Sequence, residues 1–425
     1  MQNSSLSPAF RIVQECSDCG LLNRLGAPEV GMNMCCVRCG NILRQVKKNS
    51  LDNGLAWTVT AGFFYLLSVS TPMLNLGVYG DFRTGMLSTG PLTLDDQGYW
   101  ILATFVFLTT VCMPFLKIVG TFAVLAPLRF KRRPRWTAGL YALLMHLGPW
   151  VMIEVYLLGF LVAYSRLQAM GYVRPTFAVL GLAGLMLSIV AMDASIDPEA
   201  VWEKIRKRRA VDVSVRRQLR GCDTCYQVVP AENTLSCPRC GDVLHDRKPH
   251  CLARAWALTL AAAVLYIPSN IFPVMKVMRL GKGVTYTIFG GLQELAHVGL
   301  WPLAVLVFIA SIAIPLFKLV MLTYLLIQTH RRSPEQLPNR TRLYRVLDFI
   351  GRWSMVDIFV VSILVALVRF GWLTQITAEE GAAYFGTVVI LTLLAVKSFD
   401  PRLMWDMASP QPDTPSVHSD SRHSQ

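Results

Sequence analysis

The chain has 425 residues, enough for two or three soluble domains. Its composition excludes that reading: 53% of residues are hydrophobic, only 16% are charged and the mean hydropathy is +0.43, which also excludes a disordered chain and fits a polytopic membrane protein. The formal charge of +14 must then be explained by where the basic residues fall, since Lys and Arg collect in the cytoplasmic loops of such proteins.

In chain order, a polar stretch at 12–48 comes first. It carries Cys16-Ser-Asp-Cys19 and Cys36-Val-Arg-Cys39, two Cys-x-x-Cys knuckles at the separation of a four-cysteine zinc ribbon. Residues 1–15 have no apolar core, so no cleaved leader is expected. Four apolar stretches follow at 55–76, 100–127, 138–164 and 176–193, a first transmembrane repeat over 55–193. A basic cytoplasmic linker occupies 194–217. A second ribbon at 218–246 holds Cys222, Cys225, Cys237 and Cys240. Apolar stretches at 255–275, 300–328, 345–370 and 382–399 form a second repeat over 255–399. The tail 408–425, rich in Ser, Pro, Asp and His, reads as disordered. The expected fold class is therefore an all-α polytopic membrane protein. It has eight transmembrane helices in two tandem four-helix repeats, each preceded by a small cytoplasmic zinc ribbon with four cysteine ligands.

Basic clusters lie at 129–135, 204–220 and 331–345, whereas 165–175 and 371–381 are nearly free of them. This bias predicts both termini in the cytoplasm, with 276–299 the one loop that dissents. A self-comparison at an offset of about 200 residues matches Cys36 to Cys237, Pro72 to Pro273, Pro114 to Pro315 and Lys117 to Lys318. After a two-residue shift, Glu154 matches Asp357, and Asp197-Pro198 matches Asp400-Pro401. Two halves of four spans each share one topology and relate by an axis near the membrane normal.

The eight cysteines Cys16, Cys19, Cys36, Cys39, Cys222, Cys225, Cys237 and Cys240 are read as ligands of two structural Zn2+ ions, because four thiolates leave no open position for chemistry. A polar module of this size has too little core to fold without metal. Cys35 is an alternative to Cys36; Cys112 and Cys251 read as small apolar residues. Disulfides and thiol redox chemistry compete with metal but fit a cytosolic pair of double knuckles less well.

Inside the spans, each half carries one base and one acid: Lys117 with Glu154, and Lys318 with Asp357. Charges there are expensive, so each couple is expected to form an ion pair that serves transport or merely fixes packing. Pro72, Pro114, Pro273 and Pro315 are helix-kink candidates, Pro72 and Pro273 equally readable as helix terminators. No phosphate-binding Gly-rich loop, zinc-protease motif or Ser-nucleophile elbow occurs, so no enzyme is expected. Neither ribbon interleaves bases with aromatics, which argues against a nucleic-acid partner.

The duplicated four-cysteine modules, Pro-x-x-Lys and Gly-x-Trp-x-Met-x-(Asp/Glu) resemble the paraquat-inducible protein A family (PqiA and LetA) over about residues 12–406. The resemblance implies an inner-membrane component of a lipid transport system in a Gram-negative envelope. Its partners would be membrane phospholipid and an MCE-domain periplasmic tunnel protein of the PqiB or LetB type. It also implies zinc on the eight cysteines and an important polar site at Lys318 and Asp357. The other reading is a membrane-bound thiol or zinc redox protein of the stress response, without transport.

Overall fold

The computed structural model describes residues 12–26, 29–78, 81–168, 172–209, 219–230, 235–279, 282–297, 299, 301–368 and 374–408. The tail beyond 408 and residues 210–217 of the expected linker lie outside them.

The first module consists of two hairpins, β1 (Ile12–Glu15) with β2 (Leu22–Leu25) and β3 (Asn33–Cys35) with β4 (Ile42–Gln45). Helix α1 (Ser50–Ser70) leads to strands β5 (Leu74–Val78) and β6 (Asp81–Gly85), then to the short helix α2 (Thr89–Asp96). A composite helix follows: α3 (Trp100–Phe107), a π-helical stretch Leu108–Cys112 and α4 (Met113–Arg129). The third span is broken into α5 (Thr137–Leu147) and α6 (Ile153–Gln168). Strand β7 (Tyr172–Pro175), α7 (Phe177–Ser195) and α8 (Pro198–Ile205) complete this part, and β8 (Leu219–Gly221) pairs with β9 (Val228–Pro230) in the second module.

The second half runs in the same order: α9 (Cys251–Ile271), β10 (Met275–Arg279), β11 (Lys282–Tyr286), α10 (Ile288–His297), α11 (Trp301–Phe308), a π-helical stretch Ile309–Ala313, α12 (Ile314–His330), α13 (Leu337–Trp353), α14 (Val356–Leu367), β12 (Thr374–Ala378), α15 (Glu380–Ser398) and α16 (Arg402–Ala408).

Seven helices among the described residues are long and apolar enough to cross a membrane: Trp100–Arg129, Thr137–Gln168, Phe177–Ser195, Cys251–Ile271, Trp301–His330, Leu337–Leu367 and Glu380–Ser398. Helix α1 is the eighth expected span. It is 21 residues long, enough for about 31 Å, but Asp52, Asn53 and its threonines dilute its apolar character.

The all-α expectation needs amending. Two small antiparallel sheets, β6-β5-β7 and β11-β10-β12, join the ends of the helices in each half. Strands of four or five residues bounded by loops give too short a period-two signal to stand out in sequence.

Proline explains the π-helical stretches. Pro114 and Pro315 follow them at the second position of α4 and α12. Each ring displaces the carbonyl four residues earlier and supplies no N–H, so the helix widens locally instead of breaking. Pro72 and Pro273 correct the kink expectation: they lie beyond the ends of α1 and α9 and terminate those helices. Pro268, inside α9, is the internal proline that the repeat comparison overlooked.

The core is shared by both halves. Met152, Ile153, Tyr156 and Phe160 of the first pack with Met355, Val356, Phe359 and Ile363 of the second. The repeat-equivalent rings of Tyr156 and Phe359 meet edge to face at 5.5 Å. A Cβ on Gly159 would come within 3.0 Å of Phe359 Cβ and 3.2 Å of the Val356 carbonyl, so glycine lets α6 and α14 touch.

Candidate functional site

The metal-binding chemistry begins with local backbone. In each knuckle the amide of the residue after the second cysteine donates to the carbonyl of the first: Gly20 to Cys16, Gly40 to Cys36 and Gly241 to Cys237, at 2.8–2.9 Å. These three glycines have φ of 70–86°, where a side chain is disfavoured. The fourth knuckle makes the same bond from Tyr226, at φ 58°.

The turns bring Cys16, Cys19, Cys36 and Cys39 together, and likewise Cys222, Cys225, Cys237 and Cys240; within each group all sulfurs lie within 4.8 Å of one another. Their shortest separations are 3.4–3.5 Å. Four thiolates about 2.3 Å from one ion would stand about 3.8 Å apart, so each group can hold one tetrahedral metal ion. Cys35 is the last residue of β3, half-buried and outside the group.

The modules are exchanged between the halves. The first packs on the second half, its cysteines clustering with Ala255, Leu322, Leu325, Leu326 and Trp405. Arg345 of α13 donates to Asp18 at 2.6 Å and to the Cys39 carbonyl at 3.2 Å. The second packs on the first half, against Val124, Leu125, Tyr141 and the fully buried Trp202. There Arg239 pairs with Glu199 at 3.0 Å.

The Asp-Pro elements seen in the sequence are caps that start the helices carrying these tryptophans. Asp197 accepts from the Glu199 amide at 3.0 Å, and Asp400 from the Arg402 amide at 3.0 Å. The modules meet at Glu15, whose carboxylate takes the Gly221 amide at 2.6 Å and Arg402 at 3.4 Å. Arg402 also reaches Asp400 and Asp223. Burial pushes the Glu15 pKa up despite Arg402 and the Gly221 amide. Burial also opposes ionisation of Asp400, but Arg402 outweighs it and holds that carboxyl below its ordinary value.

The membrane site is built around two broken helices. Gly148-Pro149-Trp150 interrupts the third span of the first half, leaving Glu154 in the first turn of α6. Ser354-Met355 interrupts the corresponding span of the second, leaving Asp357 in the first turn of α14. A carboxylate there faces the positive end of a helix. The Gly-x-Trp-x-Met-x-(Asp/Glu) element is therefore the break itself.

Lys318 is fully buried. Its Nζ donates to the Gly351 carbonyl at 3.2 Å, Ser354 Oγ at 2.6 Å and Thr392 Oγ1 at 3.2 Å. It thus supplies positive charge at the carbonyl end of α13, while Asp357 sits at the amide end of α14. The Lys318–Asp357 ion pair expected from sequence is replaced by two caps of one helix break.

Asp357 instead lines a small cavity of about 50 Å3 with Arg166 and Ser311, among apolar residues of both halves. Among the described residues, the Asp357 Oδ2 and Arg166 Nε atoms have no hydrogen-bond partner.

The first half is wired differently. Lys117 pairs with Asp193 at 2.6 Å, and Glu154 pairs across the halves with Arg352 at 3.2 Å. The expected Lys117–Glu154 pair is thus also replaced. Asp193, Arg352, Arg166, Ser354 and Thr392 were all missed in sequence. Repeat matching could not find Asp193, Ser354 or Thr392, because their counterparts are Val396, Val151 and Ile189.

Comparison with known proteins follows this geometry. The family described as "Paraquat-inducible protein A" matches residues 51–206 and 252–409. "Intermembrane transport protein PqiA" of Escherichia coli K12 is 31% identical over 96% of this chain and 97% of its own length. "Lipophilic envelope-spanning tunnel protein A" of the same organism is 30% identical over 92% of this chain and 91% of its own. A "Probable intermembrane transport protein" of Haemophilus influenzae is 25% identical over 94% and 97%. No solved structure matches the chain.

Proposed function

Because the chain belongs to the paraquat-inducible protein A family, we propose that it is the inner-membrane subunit of an intermembrane lipid transport system. In this reading it loads phospholipid into, or unloads it from, a periplasmic MCE-domain tunnel protein. The names of its relatives describe transport and tunnels rather than catalysed reactions, in keeping with a protein that is not an enzyme.

One observation carries the reading beyond the family: Lys318 is not needed to satisfy its own partners. Ser354 Oγ donates to the Gly351 carbonyl at 3.1 Å, and Thr392 Oγ1 to the Val389 carbonyl at 2.9 Å. An ammonium kept fully buried among apolar helices at such cost, with partners already bonded elsewhere, is suited to a substrate's phosphate. Discontinuous helices in transporters mark substrate sites; here the charge offered to the phosphate is the ammonium and not a bare helix end. Lys318 and Asp357 then form the principal polar membrane site, with Lys117 and Glu154 as their counterparts.

The 50 Å3 cavity has room for only a few water molecules, so lipid entry requires the halves to part. The polar site combines with eight spans in two tandem four-helix repeats, α1 crossing as α9 does, and with both termini cytoplasmic. Two structural Zn2+ ions fold the modules outside the membrane and supply no chemistry to the lipid. The test is gentle extraction of the full-length protein from its native membrane, followed by mass spectrometry of co-purifying lipids and proteins. Phospholipid and an MCE-domain partner are expected; recovery of neither overturns the proposal.

A further inference from the structure

A second, larger cavity of about 430 Å3 lies between the halves, within the usual range for small-ligand sites. Its charged lining is Lys117 and Asp193 from the first half with Asp348, Arg352 and Lys397 from the second. Three ion pairs meet at or beside it: Lys117–Asp193 at 2.6 Å, Lys397–Asp348 at 2.7 Å and Arg352–Glu154 at 3.2 Å. The Asp193, Asp348 and Lys397 side chains remain 53%, 38% and 35% exposed, so the cleft is open to a ligand, with Asp348 Oδ1 itself buried against Lys397. Thr121, Tyr141, Leu144 and Met145 supply the less polar wall.

Helix lengths set the depth of this cleft. The composite helix Trp100–Arg129 has 30 residues, about 45 Å against a hydrocarbon core of about 30 Å. The surplus is at the Arg129 end, where Val124, Leu125 and Leu128 pack against Trp202 and the second cysteine module. Lys117 lies twelve residues before Arg129, about 18 Å, and so sits at the membrane boundary on the side of the modules. Asp193 and Lys397 agree, each lying in the last turn of its helix.

Every cation here already faces an acid, so a simple anion would meet no net positive field. A zwitterion can enter by exchanging partners, its phosphate taking Lys117 and Arg352 while its ammonium takes Asp348 and Asp193. We propose that this cleft binds the headgroup of a phospholipid whose phosphodiester carries a primary ammonium, taken from the leaflet on the side of the cysteine modules. The proposal rests on the lipid-transport reading and adds a recognition site distinct from the Lys318 break. A primary ammonium donates hydrogen bonds to carboxylates, which a quaternary one cannot. Phosphatidylethanolamine should therefore be preferred over phosphatidylcholine and phosphatidylglycerol.

The test uses full-length protein in nanodiscs containing equal amounts of these three lipids. A photoreactive benzoylphenylalanine replaces Met145 in the cleft or, separately, Val361 beside the Asp357 cavity. Adducts are identified by mass spectrometry. The proposal expects phosphatidylethanolamine adducts at position 145 to exceed each of the others by about tenfold. It also expects Asp348→Asn with Lys397→Gln, a charge-neutral change, to abolish that preference. Equal adducts from all three lipids, which mark unselective lipid around the helices, overturn it. The headgroup comparison in otherwise unaltered protein stands even where the double variant fails to fold. Adducts at 361 without any at 145 overturn the cleft alone and leave the transport reading intact. Adducts at neither position overturn both.

Discussion

Lys318 and Asp357 sit on opposite ends of one helix break: the ammonium meets the Gly351 carbonyl at the end of α13, and the carboxylate lies in the first turn of α14. The sequence shows a base and an acid and invites pairing them. The structure shows that each answers the partial charge of a different half-helix.

Charge exchange separates the two arrangements. Lys318→Asp combined with Asp357→Lys is expected to be no better than either single change, since both caps would be reversed. Lys117→Asp combined with Asp193→Lys is expected to recover part of the loss from each single change. With Asp193 half exposed, that coupling should be modest, about 0.5 kcal/mol. Thermal unfolding of the four single and two double variants measures both.

The exchanged modules predict an effect at a distance. Cys36→Ser removes a ligand of the first module, yet the loosened helices should be α13 and α16 of the second half, through Arg345 and Trp405. Cys237→Ser should loosen α8 and the end of α4 in the first. Hydrogen exchange reads this, and elemental analysis should find two zinc ions per wild-type chain and one in each variant. Exchange confined to the half that follows the altered module in sequence would contradict the packing.

Arg402 is the keystone between the modules, facing Glu15, Asp223 and Asp400. Arg402→Ala leaves the buried Glu15 and Asp400 carboxylates without their main cation, and about 3 kcal/mol of stability should be lost at neutral pH. Because Arg402 holds the Asp400 pKa below its ordinary value, the Asp400 contribution is complete above the unfolded carboxylate pKa. It is lost as pH falls through the folded value, so acid should narrow the gap between wild type and variant. Melting curves from neutral to acid pH measure this.

Legibility followed sequence distance. The cysteine groups were readable because the geometry of each knuckle is set within a few residues. The Asp-Pro elements stood out in sequence only as matching positions of the repeat and not as caps. The helix breaks fall inside stretches that read as uninterrupted spans, 138–164 and 345–370: Gly148-Pro149 carries a signal for one, but Ser354-Met355 has no local breaker and is recognisable only as its repeat counterpart. Exchange of the modules was not legible, because it depends on Trp202 and Trp405 choosing surfaces far along the chain. The partner of Lys117 was hidden by the repeat itself, which pointed to Glu154 because Asp193 has only Val396 as its counterpart.

The Lys318 break is proposed to hold lipid rather than to hold the fold. Lys318→Met removes a buried charge, and Ser354 and Thr392 keep their carbonyl partners, so stability should be unchanged or higher. The decisive measurement is the phospholipid retained per chain by purified wild type and Lys318→Met protein, read by mass spectrometry beside their melting temperatures. About one phospholipid is expected on the wild type, with at least a fivefold loss in the variant and no fall in melting temperature. Equal lipid retention, or a variant that keeps lipid but melts far earlier, would show that Lys318 serves packing and contradict the proposal.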